Sequence, residues 1–229
     1  MNDLASLLAQ YNVLGAFWLT IQLTLYGALG ALVIDTIVAV CRVSPVGVLQ
    51  RFGTGYVTVL RNTPLTLIVA LCSLGLSNTL RITLAATDSS TFIVDNGFRW
   101  GVVALAVYHA TFVAESLRSG INTVPVGQAE AARAIGLGFW AAARLVILPQ
   151  AFRGAVAPLG NVLIALTKNS TVAAAGSVAE ASGLMRTMIE FRPDVILAIF
   201  LTFAFGFVVL VVPVGLATTS LSRRLAVAR

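Results

Sequence analysis

Lys168 stands inside an otherwise apolar stretch, residues 154–179, with Thr167, Asn169, Ser170 and Thr171 around it. An ammonium facing hydrocarbon is costly, so an ionisable group in such a stretch marks a polar pathway or a paired charge. Hydroxyls, amides and a cation in one short run can replace the water shell of a hydrophilic solute, and Lys168, Asn169 and Ser170 are therefore candidate pathway residues. Arg61 and Thr63, just before Pro64, are a second candidate set. Arg61 has another reading, a long side chain snorkelling to the membrane surface. Glu115 and Arg118 lie three apart on one helical face and can pair as a gate brace. Asp35, late in the first apolar stretch, calls for a structural partner such as Arg42 or an arginine of the second stretch. His109 reads as a packed, hydrogen-bonded histidine or, alternatively, a proton relay. None of this is a catalytic constellation. There is no phosphate-cradling GxxxxGK[ST] loop, and no His/Cys/carboxylate cluster has metal-ligand spacing. Cys41 and Cys72 read as small buried apolar residues.

The elements that must hold these residues are membrane helices. Of 229 residues, 58% are hydrophobic and 10% charged, too apolar for an ordinary soluble domain. A spanning helix needs about 20 mostly apolar residues. Five stretches qualify, predicting an all-α polytopic chain, one domain over 1–229, with spans near 14–40, 57–77, 99–118, 152–176 and 194–221. The first ten residues read as a short amphipathic lead-in. The polar segment after residue 77 reads as an external loop. Span four, rich in Gly and Ala, suits close interior packing, and span five looks lipid-facing.

The net charge of +6 is unevenly placed. Arg42, Arg51 and Arg61 surround the first connection, Arg118, Arg133, Arg144 and Arg153 the third, and Arg223, Arg224 and Arg229 the tail. The other connections balance their arginines with acids. Positive loops favour the cytoplasm, which predicts an outside N-terminus and a cytoplasmic C-terminus. The arginine excess needs no nucleic-acid partner.

Between spans three and four lies a polar, helix-prone insert at about 119–150. Residues 128–135 predict a short helix closed by Gly136 or Gly138, and residues 139–147 a second that stops before Pro149. A helix, a glycine turn and another helix across one membrane face suit a groove on a soluble partner; an ordinary interfacial helix is the other reading.

Glu130, Ala131, Ala132, Gly136 and the downstream Ile147, Leu148 and Pro149 resemble the EAA motif of ABC-importer permeases. Arg61 to Leu65, the series Ala114, Glu115, Arg118, Gly120, Ile121, Val124, Pro125, Gly127 and Gln128, and LTKNS at 166–170 resemble the polar amino-acid branch of that family. RVSPV at 42–46, RNTPLTL at 61–67, SSTFIVDN at 89–96, TFVAESLRSGINTV at 111–124 and GQAEAARAIGLGF at 127–139 resemble glutamate importer permeases of actinobacteria. The resemblance runs through nearly the whole chain in order. Two positions depart from the branch: Asn169, Ser170, Thr171 and Val172 stand where an acidic residue and a Ser-Leu pair are common, and His109 stands where tyrosine is common.

The resemblance implies a type I ABC-importer permease fold whose EAA loop is a coupling helix, with Glu130, Ala131, Ala132 and Gly136 meeting the ATPase. It implies a permease subunit in a bacterial cell membrane, not an enzyme, importing glutamate by alternating access. ATP and Mg would sit on a pair of partner ATPase subunits, with no cofactor on this chain. A second permease subunit, related or identical, and an extracytoplasmic solute-binding protein would complete the system. Glutamine, aspartate or a cationic amino acid are alternative cargoes. An ion-coupled secondary carrier using Asp35, Glu115 and Lys168 is the rival from another class, and would have no use for the docking insert. A scaffold subunit without substrate contacts is a third reading.

Overall fold

The computed structural model describes residues 10–225, and the lead-in at 1–9 and Arg229 of the tail lie outside the described residues. The described chain is helical. In order it forms α1 (Val13–Val43), α2 (Gly47–Arg61), α3 (Leu65–Ala70) running on as a π-helical stretch Leu71–Thr79, and α4 (Phe92–Asn122). There follow α5 (Val126–Ala134), α6 (Phe139–Ala142), a π turn Ala143–Ile147, α7 (Leu148–Asn169) and a 3-10 turn Ser170–Gly176. The chain ends with α8 (Ala181–Phe191), a 3-10 turn Pro193–Val195 and α9 (Ile196–Leu225).

Three stretches are long and apolar enough to cross a membrane alone: Val13–Arg42, Phe92–Asn122 and Pro193–Leu225. Counting two bent pairs as one span each gives up to five, Gly47–Arg61 with Leu65–Thr79 bent by 104° and Phe139–Gly176 with Ala181–Phe191 bent by 54°. The region expected as one span at 57–77 therefore contains a sharp corner. Pro64, without an N–H, cannot continue α2 and instead stands extended as the N-cap of α3. At Pro149 the reverse happens, and the helix runs on through the expected stop. The π turn opens the ladder just upstream, where Leu148 N–H bonds Ala143 O five residues back, and Pro149 falls in the first turn of α7, where its missing donor costs nothing. Of the segment expected as a loop, residues 80–91 lie outside helices, and α4 begins seven residues earlier than residue 99.

Burial identifies the centre. Within the most apolar window of each span, 61% of α4 is buried, against 33% of α1 and 11% of α9. α4 packs against α1 on one side and α7 on the other. Small residues permit the second contact: a Cβ added at Gly120 would run into the Ala151 carbonyl and Ala155, and one at Gly154 into Thr123. Apolar burial between helices adds little in lipid, so close backbone approach supplies dispersion contacts. A second core joins the outer parts of α1, α8 and α9, where Phe17 stacks on Phe203 at 5.7 Å and meets Phe207 edge-on at 5.5 Å. α9 turns Leu197, Phe200, Leu201 and Phe205 outward.

Candidate functional site

The docking segment is built around one left-handed residue. Gly136 has φ +87°, a conformation that glycine alone adopts without strain. Gly136 N–H bonds Arg133 O at 2.9 Å and Leu137 N–H bonds Ala132 O at 3.0 Å, the paired bonds of a Schellman C-cap that closes α5 and redirects the chain. Ala132 is buried beneath, while Glu130, Ala131 and Arg133 are exposed. Beyond the turn, Ile135 is 78% exposed, Phe139 75% and Trp140 82%, with the last two rings edge-on at 5.3 Å. Large apolar side chains beside exposed charges form a surface left uncovered among the described residues.

At the neighbouring end of α4, Glu115 receives Arg118 at 3.1 Å and Arg42 of α1 at 3.4 Å. Arg42 thus makes its ion pair with Glu115 and acts on Asp35 through its charge alone. Asp35 is fully buried, and neither carboxylate oxygen has a hydrogen-bond partner among the described residues.

Above this triad, α4 and α7 enclose a cleft of about 460 Å³. α4 contributes His109, Phe112, Glu115, Ser116 and Ser119, and α7 contributes Asn161, Ala165 and Asn169. His109 Nδ1 lies 2.9 Å from Leu105 O, and a carbonyl can only accept, so that nitrogen carries the hydrogen. Nε2 is then the acceptor for Asn169 Nδ2–H at 3.2 Å. The amide is thereby held across the helix pair, with its oxygen free of hydrogen bonds among the described residues. Arg61 sets its guanidinium 5.7 Å from the ring centroid of Phe112, a residue that lines this cleft and lies 6.1 Å from His109.

The remaining pathway candidates lie elsewhere. Lys168, one residue before Asn169, faces another groove of about 330 Å³ with Phe207, Val208, Val211 and Val212, because adjacent helical residues point about 100° apart. Ser170 is buried and donates to Thr167 O, and Thr63, just past the end of α2, donates to Val59 O in its last turn. Sequence reading overlooked Ser119 and Asn161. Their signal was present: Asn161, Ala165 and Asn169 form an i, i+4, i+8 stripe, facing His109, Phe112, Ser116 and Ser119 on α4. It also left Glu180 among the connecting charges. Glu180 is fully buried and caps α8, accepting from Ser182 N–H and Gly183 N–H at 2.9 Å each and from Thr20 Oγ1 at 3.3 Å.

A bundle of membrane-length helices that exposes an amphipathic turn at one end is the build of a multi-pass transport subunit served by a soluble partner. Over residues 31–227 the chain matches the family described as binding-protein-dependent transport system inner membrane component, and it belongs to that family. It is 55% identical over 216 residues to the glutamate transport system permease protein of Corynebacterium glutamicum, covering 94% of this chain and 95% of that one. It is 34% identical over 211 residues to a probable glutamine ABC transporter permease protein of Bacillus subtilis, covering 91% of both chains. Its fold is similar to the crystal structure of an amino acid ABC transporter with histidines, at TM-score 0.84 and 24% identity, covering 96% of this chain and 97% of that one. The chain is thus a permease subunit with the all-helical fold of type I ABC importers, not an enzyme. Membership implies ATPase and solute-binding partners.

Proposed function

We propose that this chain is a permease subunit of an ATP-driven importer of glutamate. The glutamate assignment is supported by the 55% identity to the corynebacterial permease of that name, which extends over nearly both whole chains. The carrying structural observation is the exposed, Schellman-capped turn at Gly136 with Ile135, Phe139 and Trp140 beside it. In this reading Glu130, Ala131, Ala132 and Gly136 form the coupling surface for an ATPase pair that holds ATP and Mg. A second permease subunit, related or identical, and an extracytoplasmic binding protein complete the assembly. In this reading that face lies in the cytoplasm and the N-terminus outside, which the arginines flanking the docking segment and ending α9 support through the preference of positive loops for the cytoplasm.

Transport follows as a two-state switch, biased by nucleotide on one face and the loaded binding protein on the other. Closure of the ATPases moves the docking segment, which continues through the π turn directly into α7 and so carries the cleft wall with it. Asn169, set by His109, offers its amide oxygen to an ammonium donor in the cleft, with Arg61 beside Phe112 for a carboxylate. Lys168 and Thr63 complete the pathway where the second subunit closes it, and the buried Ser170 holds the end of α7 through its bond to Thr167 O. Glu115, with Arg42 and Arg118, braces the inner gate, and Asp35 is the buried group whose environment changes as α1 and α4 shift.

The test is labelled-glutamate uptake in a strain lacking this gene and any redundant glutamate system, restored with wild type. Rescue, with excess unlabelled glutamate competing better than glutamine or arginine, is the expected result. Rescue competed best by glutamine would favour the cargo named for the Bacillus relative instead.

A further inference from the structure

At the end of the bundle opposite the docking segment lies a cavity of about 590 Å³ that the cleft and its pathway residues do not share. That volume falls within the range of small-molecule pockets. The loop at residues 80–91 forms one wall, and Ala175, Gly176 and Ser177 form another. Three side chains of α4 pin the loop. Asn96 Oδ1 accepts from Leu84 N–H at 2.8 Å while its Nδ2 donates to Ser77 Oγ at 2.8 Å, Trp100 Nε1 donates to Ile82 O at 3.2 Å, and Arg99 donates to Leu84 O. Asn96 and Trp100 are themselves buried. With the backbone of Ile82 and Leu84 tied to α4, the intervening Arg81 and Thr83 line the cavity.

Two features set this cavity apart. Arg81, φ 53°, and Ser177, φ 65°, are the non-glycine residues with left-handed backbone among the described residues, and both line it, on opposite walls. Left-handed conformations of side-chain-bearing residues persist where surrounding structure imposes them, and they gather at ligand clamps. The second feature is charge. Arg81 makes no hydrogen bond or ion pair among the described residues, and no acidic residue lines the cavity. Its guanidinium fork is thus available, beside the Ser77 and Ser177 hydroxyls and the Asn78 amide.

We infer that this cavity is an outer receiving site in which Arg81 takes a carboxylate of the amino acid as it leaves the binding protein. The inference rests on the importer reading above and adds a site upstream of the cleft. A guanidinium matches a carboxylate by two parallel N–H···O bonds, whereas a lysine would keep the charge and lose the fork. Hydroxyls and the amide satisfy the remaining polar atoms, and the pinned loop means the site needs little ordering before the solute arrives.

The test uses proteoliposomes holding the assembled transporter, with loaded binding protein in excess outside. Two readouts are taken for wild type, Arg81→Gln and Arg81→Lys: labelled-glutamate uptake, and the affinity of the loaded binding protein for the transporter. Losing a charge-assisted contact predicts glutamate uptake lower by about tenfold or more in Arg81→Gln. Arg81→Lys, which keeps the charge without the fork, gives uptake between those of Arg81→Gln and wild type, and binding-protein affinity stays within about twofold in both, which also reports that the variants fold and assemble. Uptake by Arg81→Gln equal to wild type overturns the inference. So does a loss of uptake matched by a loss of binding-protein affinity, because Arg81 would then be meeting an acidic residue of the docked protein. Absence of glutamate uptake by wild type would instead overturn the cargo reading, and is distinguishable because it precedes any change at Arg81.

Discussion

The two ends of the bundle solve opposite problems. At the end that carries the Gly136 turn, Ile135, Phe139 and Trp140 stand exposed, and a Cβ added at Gly136 would meet open space. At the other end, Asn96, Trp100 and Arg99 satisfy the loop over α4, and Glu180 ties α8 to Thr20 of α1. One end leaves large apolar side chains uncovered among the described residues, and the other ties its loop and helix ends together through side-chain hydrogen bonds. Substitutions at the satisfied end should therefore cost fold stability, and those at the exposed end should cost association and coupling.

The largest stability effect should come from Glu180→Ala. It removes the cap of α8 and leaves buried donors unpaired, a loss of about 2–4 kcal/mol, read as a lowered unfolding midpoint of the detergent-solubilised complex. Glu180→Gln, which keeps an acceptor oxygen, should lie much closer to wild type. Asn96→Ala loses two hydrogen bonds and frees the loop, for about 1–3 kcal/mol, seen in the same unfolding assay and as faster proteolysis near residues 80–91. Trp140→Ser should leave the midpoint within about 0.5 kcal/mol but weaken ATPase binding by about 1–2 kcal/mol or more, measured by titrating the purified ATPase. If Trp140→Ser lowered the midpoint as much as Asn96→Ala, the contrast between the ends would collapse. Glu115→Gln should be the smallest change, about 0–1 kcal/mol, because its partners are partly solvent-exposed; unfolding midpoints across a salt series would sharpen it, since screening should erase the difference.

Sequence made the long elements legible because apolar length and charge placement are local. α1 and α9 follow directly from uncharged runs, and the C-cap at Gly136 follows from a glycine after a helix-prone stretch. The corner at Pro64 carried a local signal too, a proline inside an apolar run, but hydropathy averaged across it. Other features depend on partners far along the chain. Glu180 becomes a buried cap through Thr20, 160 residues away, and the tautomer of His109 is set jointly by Leu105 and by Asn169, 60 residues away. The separation of Lys168 from Asn169 needed only helical periodicity, whereas the groove that each one meets depends on how α4, α7 and α9 pack.

The most direct test of the central claim, that the Gly136 turn couples this membrane subunit to its ATPase, is the ratio of uptake to ATP hydrolysis in proteoliposomes carrying Gly136→Val. A β-branched residue at φ +87° should cost about 1–2 kcal/mol locally, too little to unfold the bundle yet enough to reshape the docking turn. The account predicts an assembled transporter whose glutamate uptake and binding-protein-stimulated hydrolysis both fall by about tenfold or more, with the Glu180–Thr20 end still resistant to proteolysis. Wild-type uptake and hydrolysis in Gly136→Val would contradict it.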